Sequence, residues 1–270
     1  MIDARRGAAR RRTPVRAPTL NDPQHRDALR DRLRSGAQAL SVALDERALD
    51  ALLAYLALLA KWNVVYNLTA IREPEEMLVF HVLDSLAVVR PLQSAIMQRS
   101  QASEGDGPAA IVGPAAAVRI ADVGSGAGLP GIVLALAWPD AQLTLIETVG
   151  KKAAFLRQCA AELGAANVTV REARVESLAP APQDVVICRA YSELRDFIAV
   201  SSALIDQRTL IAAMKGQRPQ AELARLPPDI EPVSVERLHV PGLDAERHLV
   251  LLRRRLPAAG PASTSQEEGA

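Results

Sequence analysis

The second half of the chain alternates between apolar runs and amphipathic segments. The apolar runs predict strands at residues 118–123, 142–147, 167–171, 184–188, 208–214, 232–240 and 247–253. The segments between them predict helices at residues 131–138, 149–163 and 192–205, with a weaker one at 219–225. This alternation is typical of a mostly parallel sheet covered by helices on both faces. The Val240-Pro241-Gly242 turn between the last two runs predicts an antiparallel closing hairpin.

The first half of the chain has the pattern of a helical region. Between Leu49 and Ala60, apolar residues recur at spacings of three and four and form one apolar face. Pro74 is followed by two glutamates, a combination typical of a helix start. On the helix that follows, His81 and Asp84 share one face, which fits either a catalytic pair or local capping and packing.

These patterns divide the chain into five segments. Residues 1–24 are rich in Arg, Ala and Pro without apolar periodicity, which predicts a disordered basic arm. The remaining segments are a helical subdomain, a surface linker, an α/β domain and a disordered tail, at residues 25–92, 93–117, 118–256 and 257–270 respectively.

Charge and composition limit the functions that the chain can have. The net charge is +1, but residues 1–16 contain six arginines and one acid, or +5, so the remainder carries −4. Any nucleic-acid contact is therefore expected to be a local patch or the N-terminal arm. No run approaches 18 uncharged apolar residues, and no apolar segment follows the N-terminal arginines, so we expect neither a membrane span nor a secretory signal.

The two cysteines, Cys159 and Cys188, have no metal-ligand spacing, so neither a metal site nor a disulfide framework is expected. The cytoplasm is the expected compartment. We expect the protein to act as a monomer.

The stretch Asp122-Val123-Gly124-Ser125-Gly126-Ala127-Gly128-Leu129-Pro130-Gly131 links a predicted strand to a predicted helix. Such a glycine turn is typical of a site for a nucleotide-like ligand, with N–H groups free to point outward. The spacing Gly126-x-Gly128-x-x-Gly131 fits a dinucleotide fingerprint, with Glu147 as the ribose-binding acid. The spacing Asp122-x-Gly124-x-Gly126-x-Gly128 fits an S-adenosylmethionine (SAM) site equally well.

The position of the glycines relative to the strand favours SAM. In a dinucleotide site the first glycine directly follows the strand, and counting from Gly124 places Leu129 where the third glycine belongs. The carboxylate of Asp122 disfavours a pyrophosphate, whereas SAM carries a sulfonium and an ammonium group. A nicotinamide oxidoreductase remains an open alternative.

Several segments together resemble one protein family, the bacterial ribosomal RNA small subunit methyltransferase G family, also called glucose-inhibited division protein B. The resemblance covers about residues 40–253. Beside the glycine loop, it is carried by Trp62-Asn63-x-x-Tyr66-Asn67-Leu68-Thr69, His81-x-x-Asp84-Ser85, Lys151-Lys152-x-x-Phe155-Leu156, Arg189-Ala190, Lys215-Gly216-Gln217 and Glu246-Arg247-His248-Leu249-Val250.

The resemblance implies a Rossmann-like class I SAM-dependent methyltransferase fold with an N-terminal helical subdomain. It also implies methyl transfer from SAM to N7 of the guanine at position 527 of 16S rRNA, either free or in the small ribosomal subunit. The implied cofactor-binding residues are Asp122, Gly124, Gly126, Gly128, Leu129, Glu147, Val175, Glu176 and Arg189.

Guanine N7 has a free lone pair, so its methylation needs no general base, and the rate should come from positioning and electrostatics. We expect Arg189 to be the catalytic residue, donating to guanine O6 or a phosphate or pairing with the SAM carboxylate; a structural salt bridge is the alternative. Cys188 is interpreted as a buried small residue rather than a nucleophile. Expected RNA contacts are Lys151, Lys152, Arg157, Lys215, Arg218 and Arg247.

Two further functions stay open from the residues alone. The negative charge outside the arm is compatible with a SAM-dependent methyltransferase that acts on a small molecule. A non-catalytic RNA-binding assembly factor could keep the same fold.

Overall fold

The computed structural model describes residues 22–102 and 117–255. The predicted tail 257–270 and nearly all of the predicted arm 1–24 lie outside the described residues. The first helix, α1 (Pro23–Ala39), begins at the last positions of that arm. It begins there because the Asp22 side chain accepts a hydrogen bond from the Gln24 N–H, and because Pro23 suits a first helical turn.

A seven-stranded sheet forms the centre of the described part of the chain. Its strands are β1 (Arg119–Val123), β2 (Gln142–Glu147), β3 (Val168–Glu172), β4 (Val185–Arg189), β5 (Leu210–Lys215), β6 (Ile230–Arg237) and β7 (His248–Arg254). The order is β3-β2-β1-β4-β5-β7-β6, and β7 runs antiparallel to both of its neighbours. The predicted α/β class, mostly parallel sheet and closing hairpin are confirmed.

The helices flank this sheet and precede it. After α1 come α2 (Glu46–Tyr66), α3 (Pro74–Met77), a π-helical turn (Leu78–Leu83), α4 (Asp84–Leu86), α5 (Val89–Ala102), α6 (Gly131–Ala137), α7 (Gly150–Glu162), α8 (Leu194–Val200) and α9 (Gln220–Leu223). A short 3-10 turn lies after β3 at Val175–Ser177, and another lies after α8 at Ser202–Leu204. The single helix predicted at 192–205 is therefore divided at Ser201.

Helix α5 corrects the predicted boundary of the linker. The linker was expected to begin at residue 93, but α5 continues to Ala102. Its apolar positions Leu92, Ala95 and Ile96 are buried in the main core, and this packing keeps the segment helical. The rest of the predicted linker is mostly outside the described residues.

Helix α2 joins the N-terminal helices to the sheet domain. By length and mean hydropathy (1.5) it could cross a membrane, but it packs against α1, α6 and α7, and several of its leucines are fully buried. The hydroxyl of the buried Tyr55 donates to the Ala127 carbonyl in the glycine loop at 2.7 Å. The N-terminal helices and one face of the sheet therefore share a single hydrophobic core.

After β1 the chain adds β2 and β3 on one side of it, and then crosses to add β4 on the other side. The parallel neighbours β2 and β4 lie on opposite sides of β1, with Asp122 level with Leu145 of β2 and Ile187 of β4. The carboxyl ends of these three strands consequently meet at one edge of the sheet. In open α/β sheets, ligands bind in the crevice at such a point.

Candidate active site at the carboxyl edge of the sheet

The glycine loop is folded back on itself. Gly124, Gly126 and Gly128 have φ values of +74°, +57° and +87°, a region that glycine enters without steric cost. The N–H groups of Gly124 and Ser125 donate to the Ile146 carbonyl. The N–H groups of Gly128 and Leu129 donate to the Ser125 carbonyl, and those of Gly126 and Gly131 donate to carboxylates.

The expectation of outward-pointing N–H groups is therefore wrong for these six positions. The turns of the loop are tight enough to satisfy them internally. A pyrophosphate needs such donors, so the internal bonding disfavours the dinucleotide interpretation of Gly126-x-Gly128-x-x-Gly131. A ligand that lies against the loop by close backbone approach remains compatible with it. Gly124 suits this role, because a Cβ built on it would meet nothing within 4 Å.

Asp122, the acid before the glycines, is completely buried at the end of β1. Its Oδ2 accepts from the Gly131 N–H at 3.0 Å, whereas its Oδ1 has no hydrogen-bond partner among the described residues. Burial raises the pKa of this carboxyl to about 7, and the nearby Glu147 adds to the rise while Arg189 opposes it. An unpartnered buried oxygen beside the glycine loop is suited to a positively charged ligand.

We expect Asp122→Asn to remove a pH-dependent loss of stability. As pH rises from about 4 to about 7, an unfolded chain releases the Asp122 proton while the folded carboxyl keeps it. In the wild type this group makes the free energy of unfolding fall across that window, by at most about 4 kcal/mol. Urea unfolding of both proteins between pH 4.5 and 8 should give a difference that grows with pH, and parallel curves would contradict the assignment.

Glu147, at the end of β2, is tied to the glycine loop. Its Oε2 accepts from the Gly126 N–H at 2.9 Å, and its Oε1 accepts from the Val149 N–H at 2.8 Å, at the start of α7. These two bonds fix the carboxylate at the edge of the sheet. The Thr148 hydroxyl lies 3.5 Å from Oε1 as a third donor. A carboxylate has about four acceptor positions, so Glu147 keeps capacity for at least one further hydroxyl donor.

A cavity of about 290 Å³ lies between the ends of β1 and β2 and the segment after β3. It brings together three of the predicted cofactor-binding residues: Gly124, Val175 and Glu176. Tyr191, which sequence reasoning did not single out, also lines this cavity. The side chain of Leu129 belongs to the main core and is 5% exposed, so a cofactor could reach only its backbone.

Arg189, at the end of β4, is held by the π-helical turn and α4. Its Nη1 donates to the Phe80 carbonyl at 2.9 Å and to Asp84 Oδ2 at 3.0 Å. Its Nη2 lies 3.5 Å from His81 Nδ1. The structure thus contains the salt bridge that the sequence left as an alternative. The side chain as a whole remains 22% exposed.

Asp84 pairs with two arginines, Arg189 and Arg247. Its Oδ1 accepts from Arg247 Nε at 2.9 Å, and the carboxylate is 3% exposed. One buried negative charge therefore lies between two positive charges, leaving this cluster with an excess of positive charge. Such an excess is suited to an anionic or electron-rich group arriving at the edge of the sheet.

His81 extends the contacts of Arg189 to the loop after α2. Its Nε2 lies 2.9 Å from Thr69 Oγ1, and the Thr69 N–H donates to the side chain of the buried Asn63. Burial and the charge of Arg189 lower the pKa of His81 to about 4, so the ring is neutral near pH 7. Because a guanidinium only donates, Nδ1 is the acceptor and the ring proton lies on Nε2. His81 and Asp84 therefore hold Arg189 rather than forming a catalytic pair with each other.

The comparisons with known proteins agree with this geometry. The family model for rRNA small subunit methyltransferase G matches residues 48–100 and 110–250. The chain belongs to this family.

Curated relatives carry the same family name. The Ribosomal RNA small subunit methyltransferase G of Leptothrix cholodnii is 48% identical over 85% of this chain and 98% of the relative. The protein of that name from Paracidovorax citrulli is 51% identical, over 85% and 91%. The one from Neisseria gonorrhoeae is 45% identical, over 84% and 99%. The chain is a SAM-dependent rRNA methyltransferase of this family, and rRNA is its acceptor rather than a small molecule.

The predicted RNA-contacting cations of this methyltransferase occupy different environments. Lys151 is exposed and Lys152 half-buried in the first turn of α7, and Arg218 is exposed after β5. Arg157 is exposed and pairs with Glu172 at 2.8 Å. These four stay predictions.

Lys215 and Arg247 are already engaged by acids within the fold, and as phosphate contacts they too stay predictions. Lys215 is 10% exposed, and its Nζ is held by Glu222 at 2.7 Å and by the Tyr191 carbonyl at 2.9 Å. Arg247 pairs with Asp84, as described above. The acid that pairs with Arg247 lies 163 residues away in the sequence, whereas the acid that pairs with Lys215 is seven residues away.

Proposed function

We propose that this methyltransferase transfers the methyl group of SAM to N7 of a single guanine, position 527 of 16S rRNA. The observation that carries the proposal is Arg189. It combines a side chain that is 22% exposed with fixed contacts to Phe80 and Asp84 at the edge where the strands end. Arginine N–H groups match the O6 edge of guanine, which lies next to N7.

The residues around the glycine loop fit SAM as the cofactor. SAM supplies an electrophilic methyl group on a positively charged sulfur when it is bound. Asp122 has an unpartnered Oδ1, and a positively charged ligand nearby would favour its ionised form. Glu147 keeps at least one acceptor position for a ribose hydroxyl. Gly124 and the cavity that includes Val175 and Glu176 allow close approach. Gly126, Gly128 and the Leu129 backbone complete the loop.

The described site also fits an acceptor that needs no deprotonation. His81 is neutral, but its two ring nitrogens are engaged with Arg189 and Thr69. Cys188 is 1% exposed, and burial raises the pKa of its thiol, so it is protonated at neutral pH and no nucleophile is available there. N7 of guanine attacks with a lone pair that it already carries, so orientation by Arg189 is the main requirement.

Mapping of N7-methylguanosine in 16S rRNA tests this proposal. Cells that lack the gene are complemented with the wild type, with Arg189→Lys, or with Arg195→Lys as a matched control on the exposed side of α8. We expect the wild type and the control to restore the modification at position 527. Arg189→Lys should reduce it more than about tenfold, because lysine loses the fork of donors.

Methylation of another atom, or of another rRNA nucleotide, would overturn the proposal.

We propose in addition that the enzyme acts as a monomer in the cytoplasm. Parallel assays on naked 16S rRNA and on assembled small subunits would show which is the acceptor.

A further inference from the structure

The end of α2 exposes three consecutive apolar residues. Val64 is 76% exposed, Val65 is 68% exposed and Tyr66 is 36% exposed, and we name these three residues the α2 tip. Single exposed apolar side chains are common, but a contiguous group is typical of an interaction site. The rest of α2 is a core helix, so its exposed end is a local departure from the pattern of the helix.

The α2 tip is held rigidly by its own chain. Asn67 ends the helix with a φ of +50°, and its N–H donates to the Asn63 carbonyl at 3.2 Å. The side chain of Asn63, 2% exposed, bonds the Thr69 N–H and the Ile71 carbonyl. The exposed side chains are therefore presented on a fixed frame, which reduces the entropy lost on binding.

Two contacts connect the residues on either side of the tip to the candidate active site. On one side, the Trp62 ring lies 5.4 Å from the Phe155 ring of α7, the helix that starts just after Glu147. On the other side, Thr69 contacts His81, which contacts Arg189. Tyr66 is three residues from Thr69, so their Cα atoms are at most about 11 Å apart.

We propose that the α2 tip contacts the rRNA nucleotides that flank the target base. Enzymes that modify a base act on a single-stranded site or take the base out of its stack, and either case leaves neighbouring bases exposed at the mouth of the site. Unpaired bases bind to aromatic and apolar side chains by stacking. The Tyr66 ring lies against the Trp62 ring, with the centroids 5.0 Å apart and the planes tilted by 34°. The proposal rests on rRNA as the acceptor and is independent of the atom and position methylated.

The charges around the tip are compatible with RNA. Lys61, one turn before the tip, and Lys151 at the start of α7 are exposed and make no ion pair within the described residues. Arg72 follows the tip, and its Nη2 donates to Asn67 Oδ1 at 3.3 Å. Of the three acids that follow Arg72, Glu75 lies 3.6 Å from His25 of α1, while Glu73 and Glu76 are exposed. Free cations beside an apolar surface match a phosphate backbone with unstacked bases.

A paired comparison of exposed valines tests the proposal. The test protein is the double variant Val64→Ser, Val65→Ser. The control is Val233→Ser. Val233 is 44% exposed and lies on β6, the outermost strand on the side of the sheet away from β3. Total transfer of labelled methyl from SAM into small subunits is measured while each substrate is varied in turn.

For the double variant we expect the KM for the RNA substrate to rise about tenfold, with the KM for SAM unchanged. The control should match the wild type. A wild-type KM for RNA in the double variant, or equal increases in both KM values, would overturn the proposal. Because all rRNA methylation is counted, the result does not depend on whether N7 of position 527 is the target.

Cross-linking provides a measurement that does not require activity. A photoreactive phenylalanine analogue is placed at position 65 or at position 233 in the full chain. We expect position 65 to cross-link to the 16S rRNA nucleotides that flank the methylated base, and position 233 to give background. Equal cross-linking from the two positions would also overturn the proposal.

Discussion

Replacing Asp84 with asparagine is expected to lower the free energy of unfolding by about 3 kcal/mol and to remove most methyl transfer. The carboxylate is 3% exposed and lies between Arg189 and Arg247, each 22% exposed. Without it, two partly buried guanidinium groups face each other with no compensating charge, and the amide N–H of asparagine would point at other donors. Urea unfolding and methyl transfer to small subunits measure the two effects.

Glu172→Gln is the matched control for this substitution. Its pair with Arg157 has a similar distance, 2.8 Å, but the side chains are 42% and 50% exposed. Exposed pairs contribute at most about 1 kcal/mol, so the control should unfold near the wild type. Equal stability of the Asp84 and Glu172 variants would show that Asp84 does not stabilise the arginine cluster.

Gly131→Ala is expected to destabilise the protein by about 3 kcal/mol and to weaken SAM binding. A Cβ at this position would lie 2.2 Å from Leu145 Cδ2 and 2.6 Å from Asp122 Oδ2. The backbone of Gly131 is not strained, so the cost is steric. Relief of the overlap requires movement of the buried Leu145 side chain and of the Asp122 carboxyl, which accepts from the Gly131 N–H.

Gly216→Ala controls for the general effect of adding a methyl group to a glycine. Nothing lies within 4 Å of a Cβ built there, and its φ is not positive, so the stability should change by less than about 1 kcal/mol. Thermal unfolding and titration with SAM compare the two variants. If Gly131→Ala bound SAM and unfolded like Gly216→Ala, the close contact at the start of α6 would not limit the site.

The sheet could be predicted because strand periodicity is a local property. Each of the seven apolar runs is a strand in the structure, with ends that differ by at most three residues. The end of α5 was missed because the segment after residue 92 has weak periodicity, and burial of Ile96 against the core decides its conformation. Local sequence contains no direct signal of that tertiary contact.

The arrangement of the candidate site was predictable in part. The glycine loop, Glu147, Val175 and Glu176 follow strand ends, and parallel strands bring such positions to one edge. The shared role of Asp84 could not be read from the sequence, since its partners lie 105 and 163 residues further along the chain. Its spacing from His81 indicated only that the two lie on one helical face.

Because the residues of the arginine cluster lie far apart in the sequence, they are synthesised at very different times. Asp84 leaves the ribosome early, Arg189 much later, and Arg247 only with the beginning of the last strand. Contacts that close such long loops form late in folding and depend on the final elements being in place. A nascent chain that lacks β7 therefore has an incomplete arginine cluster, and the enzyme becomes competent only after nearly its whole described chain has been made.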